Sequence, residues 1–123
     1  MPTASKYDVV IEERVSLDEG EAHDFPLETP GIRADIRSLL SFMVDPLSDH
    51  GVVFRMLIAN SKGKNEIVRG LEGQAGLNGA GRRVLQIVIR AGILQKTGNT
   101  LRIEVTDGEG RFSNIILWYQ TEI

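Results

Sequence analysis

The stretch Leu101-Arg102-Ile103-Glu104-Val105-Thr106 alternates apolar and polar side chains at every position. Successive side chains of a β-strand point to opposite faces, so this period of two predicts a strand with one buried and one solvated face. The same alternation is found in other segments of the chain, for example in residues 83–91. No long window prefers the helical period, and a single helical turn within 32–40 is the most that the pattern allows. The sequence therefore predicts an all-β protein.

About eight short strands are predicted, each bounded by Gly, Pro, Asn or Asp. Pro26 favours a sheet edge for its strand. Two runs that are apolar on both faces are predicted to lie in sheet centres or against a second subunit. Eight antiparallel strands in one domain form a two-sheet sandwich or jelly roll, or a closed barrel, and we favour the sandwich. The predicted strands cover residues 9–17, 22–27, 39–44, 52–59, 66–71, 83–91, 101–106 and 113–120, and 39–44 and 115–119 are the doubly apolar runs.

The length of 123 residues predicts one domain, residues 1–123. The longest unbroken apolar run is 115–119, so no membrane-spanning segment is predicted, and residues 1–30 lack the apolar core of a secretory signal. A formal charge of −3 argues against a nucleic-acid partner held through phosphates. The absence of cysteine excludes disulfides and zinc–thiolate sites but does not identify the compartment.

The charge is unevenly distributed along the chain. Residues 1–30 carry eight acidic and two basic residues, a net charge of −6, whereas residues 31–123 carry a net charge of +3. Two interpretations remain open. The acids occupy solvated positions and neutralise the basic remainder, or the acidic segment docks on the Arg-rich surface of a neighbouring subunit. Salt-dependent dissociation would separate the two.

Several short motifs contain the residue types of known functional sites, but their spacing does not support those functions. The glycine-rich stretch 70–81 lacks both phosphate-loop patterns and a following helix, so a loop at one end of the sandwich is predicted, although it could close over a ligand. The adjacent residues Ser48-Asp49-His50 cannot adopt the geometry of a hydrolase triad. His23 and His50 lack the spacing of a zinc site. We expect no cofactor.

The turn Asp107-Gly108-Glu109-Gly110 has two interpretations. Asp107, Glu109 and the turn carbonyls are the hard oxygen donors that calcium prefers. The same residues are also typical of a tight hairpin turn. A hairpin turn without calcium is the favoured interpretation, and no metal site is predicted. The sequence does not decide whether calcium binds.

Arginines and aromatic residues provide the best candidates for a binding site. Arg55 and Arg102 fall at outward positions of their predicted strands. Trp118 and Tyr119 are consecutive, so at most one of them lies in the core. A bidentate arginine beside an aromatic ring is typical of a sugar or carboxylate site. The candidate ligand-binding residues are therefore Arg55, Arg102 and Trp118, with packing as the competing role for the aromatics.

The segment Leu94–Val105, with its Gly98-Asn99 turn, resembles a strand pair of galactose-binding-like jelly-roll domains. The closing segment Ser113–Tyr119 is similar to the last strand of such domains, which include carbohydrate-binding modules. The resemblance implies a jelly roll of two antiparallel sheets, with about five and three strands. It implies sugar binding only by analogy, because one fold serves many functions.

Two functions follow as expectations. The first is a non-catalytic β-sandwich binding module, possibly for carbohydrate. The alternative is a structural protein without a small-molecule ligand, which forms a homo-oligomer by burying doubly apolar strands between subunits. A small enzyme is the weaker expectation, because no pair of carboxylates and no nucleophile motif stands out.

Overall fold

The computed structural model describes residues 3–11, 13–47, 52–60, 65–69 and 83–122. These residues form nine strands and contain no helix, which confirms the all-β prediction. The strands are β1 (Thr3–Ile11), β2 (Val15–Leu17), β3 (Ala22–Leu27), β4 (Ser38–Pro46), β5 (Val52–Ala59), β6 (Asn65–Arg69), β7 (Arg83–Ile89), β8 (Asn99–Gly108) and β9 (Gly110–Glu122).

The strands pair into two antiparallel sheets, as predicted for a sandwich. The five-stranded sheet has the order β1-β9-β4-β7, and β2 also pairs with β9. The four-stranded sheet has the order β3-β8-β5-β6, so β3 lies at a sheet edge, as Pro26 predicted. The chain changes sheets between consecutive described strands except from β1 to β2 and from β5 to β6. Strands that are distant in sequence therefore become neighbours.

The core lies between the inner faces of the two sheets. Phe54 is at its centre, with Phe42 and Phe112 packed edge-to-face against it at ring-centroid distances of 6.0 and 5.0 Å. The inward rows predicted within 52–59, 83–91 and 101–106 are confirmed, because alternate side chains over 52–58, 85–89 and 101–105 are buried or packed on the core. The buried members are Val52, Phe54, Met56, Ile58, Ile87, Ile89, Leu101, Ile103 and Val105.

The two doubly apolar strands are neighbours in the centre of the five-stranded sheet. Leu40 of β4 pairs with Leu117 of β9, and both side chains are fully buried. Leu39 and Trp118 are opposite each other in the same ladder, and their side chains belong to the outer face. The predicted central positions of these strands are confirmed. The second apolar row lies outside the core, on the surface of the sheet.

The prediction of one continuous strand over 9–17 is wrong. The structure forms β1 and β2 instead, which pair with different parts of β9. The ladder shifts register between Val9 and Ile11, and a bulge of this kind changes which residues face the core. Val9 is 39% exposed, and its neighbour Val10 packs on the core.

Of two turns considered in the sequence, the first agrees with its interpretation and the second differs from it. Within 32–40 the chain makes a single turn, in which the Ile36 N–H donates to the Arg33 carbonyl at 3.1 Å, and β4 then begins. Residues 107–110 form a corner instead of a hairpin, because β8 and β9 belong to different sheets. Gly108 has a φ of +74°, and a Cβ on Gly110 would lie 3.0 Å from Val52 Cγ2.

A buried polar cluster fixes the loop before β8. Asn99 is buried, and its Nδ2 donates to Thr29 Oγ1 at 3.0 Å and to the Gln95 carbonyl at 2.6 Å. Its Oδ1 accepts the Gln95 N–H at 2.8 Å. The Asn99 amide thus joins the segment after β3 to the turn that begins β8.

Two sequence hypotheses lie outside the described residues. These are the glycine-rich stretch 70–81, with its possible closure over a ligand, and the segment 48–50 that contains His50.

Candidate functional site

The three predicted ligand-binding residues lie on opposite sides of the sandwich. Arg55 of β5 and Arg102 of β8 are on the outer face of the four-stranded sheet. Trp118 is on the outer face of the five-stranded sheet, because its neighbours Leu117 and Tyr119 are buried. Two packed sheets are separated by roughly 10 Å, so these three side chains cannot contact one small ligand together.

Arg102 lies in a groove on the four-stranded sheet, which we call the ion-pair groove. Its Nε and Nη2 donate to the two carboxylate oxygens of Asp24 at 2.7 and 3.0 Å. These hydrogen bonds hold the pKa of Asp24 below its ordinary value of 3.8. The groove has a volume of about 530 Å³ and is lined by Asp24, Leu57, Ala59, Thr100, Arg102 and Glu104.

Arg55 is close to the same groove and has a carboxylate partner of its own. It lies opposite Glu104 in the β5–β8 ladder, and Arg55 Nη2 is 3.2 Å from Glu104 Oε2. Both side chains are half-buried. The structure therefore brings Arg55 and Arg102 to one sheet face, where each guanidinium forms an ion pair with a neighbouring strand. A ligand in the groove would have to share these donors with the two carboxylates.

Of the adjacent residues Trp118 and Tyr119, one lies on the surface and the other in the core, as predicted for consecutive residues of a strand. Tyr119 is 3% exposed, and burial raises the pKa of its hydroxyl. Trp118 is 41% exposed. Its ring lies 5.2 Å from that of Tyr7, and its Nε1 donates to Ser41 Oγ at 3.4 Å. The indole is thus exposed on one side and supported by neighbouring strands on the others.

A concave surface lies directly beside Trp118, and we call it the Trp118 cleft. Its volume is about 600 Å³. Its lining combines an aromatic ring and aliphatic side chains with the polar groups of Arg37, Ser38 and Gln120, a combination common in small-molecule sites. The lining residues are Ile36, Arg37, Ser38, Leu39, Val88, Trp118, Tyr119 and Gln120.

The outer face of the five-stranded sheet is unusually apolar. In the described residues, every large hydrophobic side chain that is exposed lies on this face, except Leu47. We call this surface the outer apolar face, and it is formed by Tyr7, Val9, Val84, Val88 and Trp118. An exposed apolar patch of this kind is a candidate surface for a ligand or a protein partner.

The metal hypotheses find little support in the described residues. No group of three or more His, Asp or Glu side chains in these residues is placed to hold a metal ion. The ring of His23 packs against Phe25 at 4.6 Å. The backbone carbonyl of Glu109 accepts the Leu47 N–H at 2.8 Å, which ties the corner 107–110 to the end of β4. Glu109 thus has a structural role at this corner.

One acid of the amino-terminal segment does pair with the basic remainder of the chain. Asp24 and Arg102 form the bidentate contact described above. This pair agrees with neutralisation within one molecule, although it does not address docking on a neighbour. The described residues contain no helix capable of crossing a membrane.

Sequence reasoning missed Arg37 as a site residue. Arg37 precedes the buried Ser38, and alternation would have placed it on the same face as Leu39. Its proximity to Trp118 depends on the β4–β9 register, in which Leu39 is opposite Trp118. Alternation along one strand carries no information about that register.

Comparisons of the sequence give no assignment, since it matches no known family profile and no curated protein. Solved structures with the same fold do exist. BuGH86 in complex with neoagarooctaose matches 97% of this chain with a TM-score of 0.66 and 13% identity. Infectious bursal disease virus, Gx strain, matches 98% with a TM-score of 0.59 and 14% identity. The CBM22-1 xylan-binding domain from Paenibacillus barcinonensis Xyn10C matches 97% with a TM-score of 0.50 and 13% identity.

The chain spans very different shares of these proteins. It covers 19% of the BuGH86 chain and 32% of the viral chain, but 83% of the xylan-binding domain. At such low identity the likeness shows the fold alone. The resemblance to carbohydrate-binding β-sandwich domains is therefore confirmed at the level of the fold.

Proposed function

We propose that this chain is a non-catalytic carbohydrate-binding module whose sugar stacks on Trp118. The observation that carries the proposal is an exposed indole beside a concave surface of about 600 Å³. An aromatic ring offers a flat apolar surface to the CH groups of a sugar, while polar groups at its edge bind the hydroxyls. Arg37, Ser38 and Gln120 provide such polar groups.

The support around the indole favours binding of a ligand in one orientation. Trp118 contacts the Tyr7 ring on β1 and Ser41 on β4, so strands on both sides limit its rotation. A platform that is fixed before binding loses less conformational entropy when the ligand arrives. This arrangement supports a role as a rigid stacking surface.

The fold comparisons support the class of ligand. The solved structures with this fold include one in complex with neoagarooctaose and one described as a xylan-binding domain. We also interpret the strand order, β1-β9-β4-β7 opposite β3-β8-β5-β6, as a jelly roll. This scaffold presents two broad sheet faces to solvent, and a saccharide can lie on either.

The ion-pair groove is the second candidate position for a sugar on this module. There Arg55 and Arg102 would donate to hydroxyls, and Asp24 and Glu104 would accept from them. The described residues that line the groove include no aromatic platform. We therefore place the principal contact at Trp118 and assign Arg55 and Arg102 to this second position.

Binding without catalysis agrees with the composition of the Trp118 cleft. Its described lining contains neither a carboxylate nor a histidine. General acid–base catalysis of glycoside cleavage ordinarily requires two carboxyl groups flanking the bond. We propose that the cleft holds a saccharide and does not cleave it.

The test begins with a glycan array that carries neutral and anionic oligosaccharides. Because the chain has one tryptophan, emission from Trp118 reports directly on the cleft in a titration with each array hit. We expect a shift or quenching of that emission on binding. Calorimetry should show that Trp118→Ala weakens binding about tenfold or more, because the stacking surface is lost.

Two variants serve as controls for this test. Trp118→Phe keeps an aromatic surface and should retain most of the affinity. Val84→Ala, on the same face but at the other end of the β4–β7 ladder, should leave binding unchanged. If the folded protein binds no saccharide on the array, the proposal fails.

Self-assembly remains the second candidate function, and the outer apolar face favours it. A homo-oligomer that buried Tyr7, Val84 and Val88 against a second subunit would remove apolar surface from water. The same contact would cover Trp118, so ligand binding and assembly would compete for one surface.

A further inference from the structure

The lining of the Trp118 cleft carries charge of one sign. Arg37 is the only charged residue in the described lining. The strand segments that line the cleft lie within residues 36–43, 84–90 and 115–121, and these ranges contain Arg37 and Arg90 but no aspartate or glutamate. The next acidic residues along these strands, Asp45 and Glu122, come beyond these ranges. The lining of the cleft is therefore cationic, although the neighbouring strand β1 carries Asp8 and the chain as a whole has a charge of −3.

The two arginines belong to adjacent strand ends. Ser38 of β4 pairs with Ile89 of β7, and both side chains are buried. Arg37 and Arg90 are the next residues on each strand, and both are exposed. The segments stay side by side beyond this point, because the Gly92 N–H donates to the Ala34 carbonyl at 2.6 Å. Alternation places both arginines on the outer face, where Arg37 lines the cleft.

The nearest acid in the loop before β4 is already engaged. Asp35 accepts hydrogen bonds from Arg33 Nε at 2.8 Å and from Arg33 Nη2 at 2.6 Å. These bonds hold the pKa of Asp35 below its ordinary value, so it stays ionised with Arg33. Its carboxylate is thus occupied by a cation outside the cleft lining, which leaves the charge of Arg37 to act on a ligand.

We infer that the Trp118 cleft selects an anionic saccharide, with the sugar ring on Trp118 and its carboxylate or sulfate on the guanidinium of Arg37. This inference rests on the proposed function, because it names the ligand class of the same site. A guanidinium matches the geometry of a planar carboxylate or a sulfate and can donate two parallel hydrogen bonds to either. Gln120 adds a neutral donor and acceptor on the opposite strand of the cleft.

The experiment compares each anionic sugar with its neutral counterpart. Tetragalacturonate and its fully methyl-esterified form test the carboxylate, and a sulfated galactan oligosaccharide with its desulfated form tests the sulfate. We expect at least one anionic probe to bind about tenfold more tightly than its counterpart, as is typical for one charge-assisted contact. Raising the ionic strength from roughly 50 mM to roughly 500 mM should weaken that binding, because the contact is exposed.

Two variants test whether the preference for an anionic sugar arises in the Trp118 cleft. Arg37→Gln should remove most of the preference for the anion, because it should weaken binding of the anionic probe much more than binding of its neutral counterpart. Arg14→Gln is a matched control, because it removes the same charge from an exposed position at the far end of the five-stranded sheet. Circular dichroism would confirm that both variants are folded.

Three results would overturn the inference, and they differ from one another. Equal affinity for charged and neutral probes would refute anion selection but leave sugar binding at Trp118 intact. A preference that persists in Arg37→Gln would place the anion elsewhere. Absence of any saccharide binding by the folded protein would remove the proposed function together with the inference.

Discussion

At the residue scale, alternation predicts the direction of a side chain well. The adjacency of Trp118 and Tyr119 required that one of them face away from the core, and Tyr119 is the buried one. Arg55 and Arg102 likewise lie on the outer face, as the pattern indicated. Alternation could not predict their partners, because Glu104 and Asp24 reach them from strands that are distant in sequence.

The ion pair of Asp24 with Arg102 predicts a pH-dependent contribution to stability. The folded-state pKa of Asp24 is below its ordinary value, so its stabilising effect is present above that value of 3.8. The effect is lost as the pH falls through the lower folded-state pKa. We expect Asp24→Asn to lower the urea midpoint slightly at about pH 7, with the difference from the unmodified protein shrinking at about pH 2. The effect is small because both side chains are about half exposed.

A double-mutant cycle with Arg102→Gln isolates the contribution of this pair. In the Arg102→Gln background, the change Asp24→Asn should have little effect on the midpoint at either pH. An undiminished effect in that background would show that the carboxylate of Asp24 acts through another partner.

At the element scale, the sequence predicted strand centres better than strand ends. The inner rows of β5 and β8 are as expected, whereas residues 9–17 divide into β1 and β2. The division arises where β1 shifts register on β9, between Val9 and Ile11. A bulge depends on the partner strand as much as on the strand that carries it, and β9 is about a hundred residues away in sequence.

The turn that begins β8 depends on a single buried amide, and this predicts a large effect of Asn99→Ala. The change removes the acceptor of the Gln95 N–H and one donor each from Thr29 Oγ1 and the Gln95 carbonyl, which keep only their bond to each other at 2.8 Å and the longer bond from Thr29 Oγ1 to the Lys96 carbonyl. We expect a loss of about 1–3 kcal/mol in the free energy of unfolding, measured by urea denaturation.

Thr106→Ala is the control on the same strand. Its hydroxyl donates to the Val53 carbonyl at an exposed position, and it should cost less than about 0.5 kcal/mol. Equal effects of the two changes would contradict the structural role of Asn99.

At the scale of the whole molecule, the hypothesis that two copies associate through the outer apolar face can be tested. If this face joins two copies, sedimentation at micromolar concentration should detect an oligomer, and emission from Trp118 should change on dilution. Val88→Lys should then produce monomers, because a buried charge without a partner is costly. Thr106→Lys, on the outer face of the other sheet, should leave the oligomer intact. A monomeric unmodified protein whose Trp118 emission responds to sugar and not to dilution would exclude assembly through this face.

The amino-acid sequence by itself determined the all-β class, favoured the two-sheet sandwich, and predicted the buried rows of most strands and the outward direction of Arg55 and Arg102. It also required that at least one of Trp118 and Tyr119 lie outside the core. Each of these follows from the period of two, which is a local property of an extended chain. Only the tertiary structure decided that the two arginines and Trp118 lie on opposite faces, and that Arg37 lies beside Trp118. These relations depend on which strands become neighbours and in what register. Packing between segments far apart in sequence fixes both, and no local pattern records them.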